Sequence, residues 1–144
     1  MSTPPIYADR ASGKTFPDPF AMLDDYLARL GLPPLDENGY TMARQGSANI
    51  AVNVLDEHGV LLLLAPIMPV PKSGRESFYR RLLELSFLST ADAAFAIDAA
   101  KDLVFVRALR RLSGLEFEEF DVLLGAVGRV ADEWDDVLKR EFAS

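Results

Sequence analysis

The chain has 144 residues, nine glycines, nine prolines and no cysteine; 49% of it is hydrophobic and 26% charged, the balance of one ordinary globular domain. Its formal charge of −7, from 15 basic and 22 acidic side chains, argues against a nucleic-acid binder or a protein that docks on anionic lipid, both of which need a basic face. Without cysteine there is no disulfide framework, thiolate metal site or thiol nucleophile.

Met1–Thr15 is polar, holds Pro4, Pro5 and Gly13, and shows no period. It is expected to be a flexible tail ahead of a single domain over residues 16–144. It lacks the apolar core of a signal peptide, and the longest apolar run, Val60–Val70, is too short to span a bilayer, so a cytoplasmic protein is expected. Asp18 is a good N-cap with Pro19 at the first helical position. Phe20, Leu23, Leu27 and Leu30 then form one apolar stripe, with Met22 and Tyr26 off it as rim residues. Gly31 and Pro33–Pro34 end that helix.

Three strands follow. Tyr40–Gln45 alternates weakly; Asn49–Leu55 alternates cleanly, with Ile50, Val52 and Val54 on one face. Asp56–Gly59 is a hairpin turn, and Val60–Ile67 returns with apolar residues on both faces. Pro66, Pro69 and Pro71 are expected to end the pairing.

Ser73 and Glu76 have the spacing of a capping box, which starts a helix over Glu76–Leu88. Phe78, Tyr79, Leu82, Leu83, Leu85 and Phe87 cover an arc of roughly 200°, about twice the usual core-facing stripe. A helix with two apolar sides needs two covers; one is its own sheet, and the commonest second is another copy of the chain, the alternative being a central helix buried within a monomer. Ala94–Ile97 and Leu103–Leu109 read as two more strands. The last helix, Gly114–Phe142, carries Phe117, Phe120, Leu124, Val127, Ala131, Trp134 and Leu138 at 3-4-3-4-3-4 spacing, with Ser113 and Glu116 as a second capping box. Gly125 and Gly128 are costly inside a helix and point to a close neighbour. The fold class is α+β, in the order α-βββ-α-ββ-α.

His58, the only histidine, sits in a turn with no partner for a metal or a nucleophile. No phosphate-binding glycine motif occurs. The acidic doublets Asp24–Asp25, Glu118–Glu119, Asp132–Glu133 and Asp135–Asp136 are solvated helix faces, because adjacent helical residues point about 100° apart. No catalytic residue, metal ligand or cofactor is assigned. From Leu115 onward nine acids meet three bases, so the last helix carries −6 of the charge, which serves solubility or, as the alternative, steers a basic or amphipathic partner.

Leu23–Leu35 (LDDYLARLGLPPL), Val60–Pro71 (VLLLLAPIMPVP), Leu82–Leu88 (LLELSFL), Phe95–Asp98 (FAID), Leu103–Arg107 (LVFVR) and Phe117–Leu138 ending in ADEWDDVL stand in an order and spacing that resemble the Tir chaperone family, the class I chaperones of bacterial type III secretion. The segment before Phe16 is longer than that pattern, and Ser86 and Phe87 depart from it. The resemblance implies a twisted antiparallel sheet with helices packed against it and a homodimer with the central helix at its two-fold axis. It implies no catalysis, and a role in holding the N-terminal segment of a secreted effector in extended form. On these grounds Phe78, Tyr79, Leu82 and Leu85 are expected to dimerise. Leu27, Leu30, Leu32, Leu35, Ile50, Val52, Leu62 and Leu64 are expected to meet the cargo. A non-secretion adaptor or regulator of the same fold is the alternative, and a small enzyme with a pocket between helices and sheet is a third reading.

Overall fold

The structure is a computed structural model describing residues 6–142. A two-stranded hairpin comes first, with β1 (Ala8–Asp9) antiparallel to β2 (Lys14–Thr15) and Gly13 at φ +73 in its turn. The sequence reading left residues 1–15 as a tail; Met1–Pro5 lie outside the described residues, but residues 6–15 are built into the fold. Tyr7 and Phe16 pack against the core, and Asp9 is buried. Two-residue strands have no periodicity to read, so contacts far away in sequence decide this segment.

Helix α1 (Pro19–Arg29) starts as expected: the Asp18 carboxylate accepts from the Ala21 amide at 2.8 Å. Met22 and Tyr26 are fully buried rather than rim residues, because the hairpin and the last helix close over that side. The Tyr26 hydroxyl donates to the Leu115 carbonyl at 2.8 Å, and burial raises its pKa.

The main sheet has five antiparallel strands, β3 (Tyr40–Gln45), β4 (Ala48–Leu55), β5 (Val60–Pro69), β6 (Ala94–Asp98) and β7 (Leu103–Arg111), in the order β3-β4-β5-β7-β6. Strand β5 runs through Pro66, where the proline-rich stretch was expected to stop it. Its pairing with β4 ends at Leu64, so Pro66 lies where β5 has β7 as its remaining neighbour, beside a register shift. A missing N–H is tolerated there.

Helix α2 (Arg75–Leu88) packs beside β6, and α3 (Phe117–Phe142) lies along β3, β4, β5 and β7. Gly74, at φ +66, occupies the N-cap of α2 with no side-chain hydrogen bond, so the Ser73–Glu76 box does not form. Gly128 explains itself: a Cβ there would sit 2.7 Å from the Gln45 Cβ, so the glycine lets α3 approach the end of β3.

The buried side chains Thr41 and Ala43, Ile50, Val52 and Val54, Leu61, Leu63 and Ala65, and Val104, Val106 and Ala108 all share one face of the sheet with the helices. The opposite face carries no helix. Register sets its side chains in rows: Tyr40, Asn53, Leu62 and Leu109; Met42, Ala51, Leu64, Arg107 and Ala94; Pro66, Phe105 and Ala96.

Candidate protein-binding surfaces

Helix α2 is two-sided, as its apolar arc requires. Phe78, Leu82 and Leu85 are buried in their own protomer, Phe78 against Phe142 of α3 with ring centroids 5.0 Å apart. Three of the four residues expected at a dimer contact are therefore core, because the arc gives no sign of which side meets the sheet. Tyr79 remains at the surface. With it stand Leu83 and Phe87, exposed by 74% and 82%, at positions i, i+4 and i+8. A groove on this side is lined by Glu76, Tyr79, Arg80, Leu83, Glu84 and Phe87. A second groove joins Tyr79 and Leu83 to Phe95, Ala96 and Ile97, so the helix face continues onto strand β6 at the sheet's edge. Leu83 and Phe87 were visible in the sequence as members of the arc, but Phe78 and Leu82 share their spacing of four, so spacing does not separate the exposed from the buried set.

The residues expected to meet cargo divide in the same way. Leu27, Ile50 and Val52 are fully buried and face the helix layer, so none is accessible. Leu30, Leu32 and Leu35 are half-buried around the exit of α1 and pack on the core. Leu62 and Leu64 lie on the bare face of the sheet. There they join Tyr40, Met42, Phe105 and Leu109, which the sequence reading did not single out; Met42 and Leu109 are exposed by 43% and 50%. Strand β3 leaves one edge of this sheet unpaired.

A polar knot ties the N-terminal hairpin to both α1 and α3. The Asp9 carboxylate accepts from the Ser12 hydroxyl at 2.7 Å, from Arg29 Nη1 at 2.9 Å and from the Phe117 amide at 3.2 Å. The Ser12 bond, with help from Arg29 and the amide, outweighs burial and holds the Asp9 pKa down at about 2. The same contact raises the pKa of Arg29, whose guanidinium also lies 4.9 Å from the centre of the Phe117 ring. Asp9 thus supplies the start of α3 with the cap expected of Ser113, whose hydroxyl instead accepts from the Ile6 amide at 3.0 Å. Among the described residues, no group of three or more histidine or acidic side chains could hold a metal ion. No described helix is long and apolar enough to cross a membrane.

The profile of the Tir chaperone protein (CesT) family matches residues 21–135. The chain belongs to this family. Solved structures agree. A chain of the ExsC–ExsE complex is 25% identical to this Tir chaperone family member, with a TM-score of 0.62 over 81% of this chain and 90% of that one. A chain of the ExoU–SpcU complex from the type III secretion system of Pseudomonas aeruginosa is 19% identical, with a TM-score of 0.66 over 82% and 98%. A chain of the HopA1–SchA chaperone–effector complex is 14% identical, with a TM-score of 0.62 over 79% and 90%. The last two likenesses establish the shared fold. Among curated protein sequences none is similar enough to match. The Tir chaperone profile begins inside α1, so the hairpin with Asp9 and Ser12 precedes the matched residues, while their partners Arg29 and Phe117 lie within them.

Proposed function

We propose that the chain is a cytoplasmic, homodimeric chaperone that holds the N-terminal segment of a secreted effector in extended form for type III export. One observation carries the reading: a protomer with a complete core still leaves two apolar surfaces without a cover. The first is Tyr79, Leu83 and Phe87 of α2 with Ile97 of β6. The second is the bare face of the sheet around Leu62, Leu64 and Phe105, bounded by the unpaired edge of β3. We assign the first to the two-fold contact, because a self-complementary patch on one helix and one edge strand suits an isologous interface. The second is assigned to the guest, which is offered apolar side chains on the face and backbone hydrogen bonds at the edge. Family membership and the ExsC–ExsE likeness support the assignment.

Two measurements test it. Sedimentation at micromolar concentration is expected to show a dimer that Leu83→Glu with Phe87→Glu converts to a folded monomer; a monomeric parent protein would sink the two-fold contact. Co-expression with effectors of its own bacterium, followed by limited proteolysis, is expected to leave a protected extended N-terminal segment. Protection of a folded domain instead would favour the adaptor reading.

A further inference from the structure

We propose that the bare face of the sheet selects guest segments in which apolar residues and carboxylates alternate along one side of the extended chain. The inference rests on the reading of that face as the guest's site and adds a rule of choice. It comes from where the unpaired arginines lie. Arg10, Lys14, Arg29, Arg75, Arg80, Arg81 and Arg110 each have a carboxylate within 4.0 Å. Five arginines have none among the described residues: Arg129 and Arg140 lie on α3, and strand register puts the other three, Arg44, Arg107 and Arg111, on the bare face. Arg44 stands opposite Asn49, Arg107 opposite Leu64, and Arg111 opposite Val60.

Strand register also places one carboxylate on this face, Asp98, and its Oδ1 already accepts from the amides of Ala100 and Lys101. The asymmetry is therefore local. A molecule of net charge −7 turns three arginines against one engaged acid on the uncovered apolar face of its sheet. Arg107 is half-buried in one row with Met42, Ala51 and Leu64, so its stem shares the apolar surface while its guanidinium stays available. Arg107 and Arg111 are four residues apart on one strand, ~13 Å. An extended guest lying along β7 meets both with acidic side chains four residues apart, and its intervening side chains on the same side fall on Leu109. A guanidinium beside a guest carboxylate over a drying apolar surface makes a charge-assisted hydrogen bond, stronger than the same pair in open water.

The test uses the intact protein and two short labelled peptides with the same leucine and valine positions, one carrying glutamate and the other lysine at every fourth residue, with leucine midway between them so that charged and apolar side chains alternate along one side of the extended chain. Fluorescence anisotropy at ~50 mM salt is expected to show the glutamate peptide binding about tenfold more tightly, a preference that shrinks at ~500 mM. Arg107→Glu with Arg111→Glu is expected to invert the preference, and Arg107→Gln with Arg111→Gln to abolish it, with unchanged circular dichroism. Equal binding, or preference for lysine as the net charge alone would dictate, overturns the charge rule and leaves the face as a docking site. Binding of neither peptide overturns both. A glutamate preference unaltered in both variants overturns the assignment to these arginines.

Discussion

Asp9 shows how one side chain can organise a region that local sequence does not announce. It closes the hairpin through Ser12, pairs with Arg29 at the end of α1, and caps α3 at Phe117. Its pKa in the folded protein, about 2, lies below the ordinary 3.8, so its contribution to stability is complete above about pH 4 and is lost as pH falls toward 2. Asp9→Asn is expected to lower stability by about 2 kcal/mol in urea unfolding at neutral pH. The gap between variant and parent should close between pH 4 and pH 2; a gap that stays constant over that range would show that the carboxylate charge is not what matters. Asp18 was legible because its cap partner is three residues away. Asp9 was not, because its partner at Phe117 is 108 residues away and the nearby Ser113 and Glu116 offered a plausible local box. Family membership gives no help here either, since its matched residues begin at 21.

The helices and strands carry the same lesson one level up. The stripe of α3 was readable outright: Phe120, Leu124, Val127, Ala131 and Leu138 are buried at the expected spacing. The two sides of α2 were readable as two sides, but the amount of apolar surface cannot say which one faces inward; packing against β6 and Phe142 decides it. Phe78→Ala is accordingly expected to cost the folded protomer about 3–4 kcal/mol in chemical denaturation, whereas Leu83→Ala should weaken the dimer and cost the protomer itself little. Equal losses in both variants would contradict the division. The two glycines of α3 give a sharper pair. Gly125→Ala meets open space and is expected to raise stability by up to about 1 kcal/mol. Gly128→Ala drives a methyl into the Gln45 side chain at the end of β3 and is expected to lower stability by about 1–3 kcal/mol. Thermal unfolding of the two variants checks both signs.

At the scale of the whole molecule, one face of the sheet holds the core and the other is left over. The alternation of β4 named its inner residues correctly, Ile50, Val52 and Val54, and that success is why Ile50 and Val52 cannot also serve a guest. In β5 both faces are apolar, so Leu62 and Leu64 could not be told from Leu61 and Leu63 until the register fixed their sides. Leu63→Ala is expected to cost about 2–5 kcal/mol and Leu64→Ser under about 1 kcal/mol in urea unfolding. A large loss in the second would mean that the outer face is already covered within the protomer. The N-terminal hairpin has a consequence during synthesis. Asp9 leaves the ribosome early, whereas the Phe117 amide that it caps emerges more than a hundred residues later. Until then Tyr26 lacks both Phe117 and the Leu115 carbonyl, so the nascent chain carries an unfinished wall that only its final helix can close.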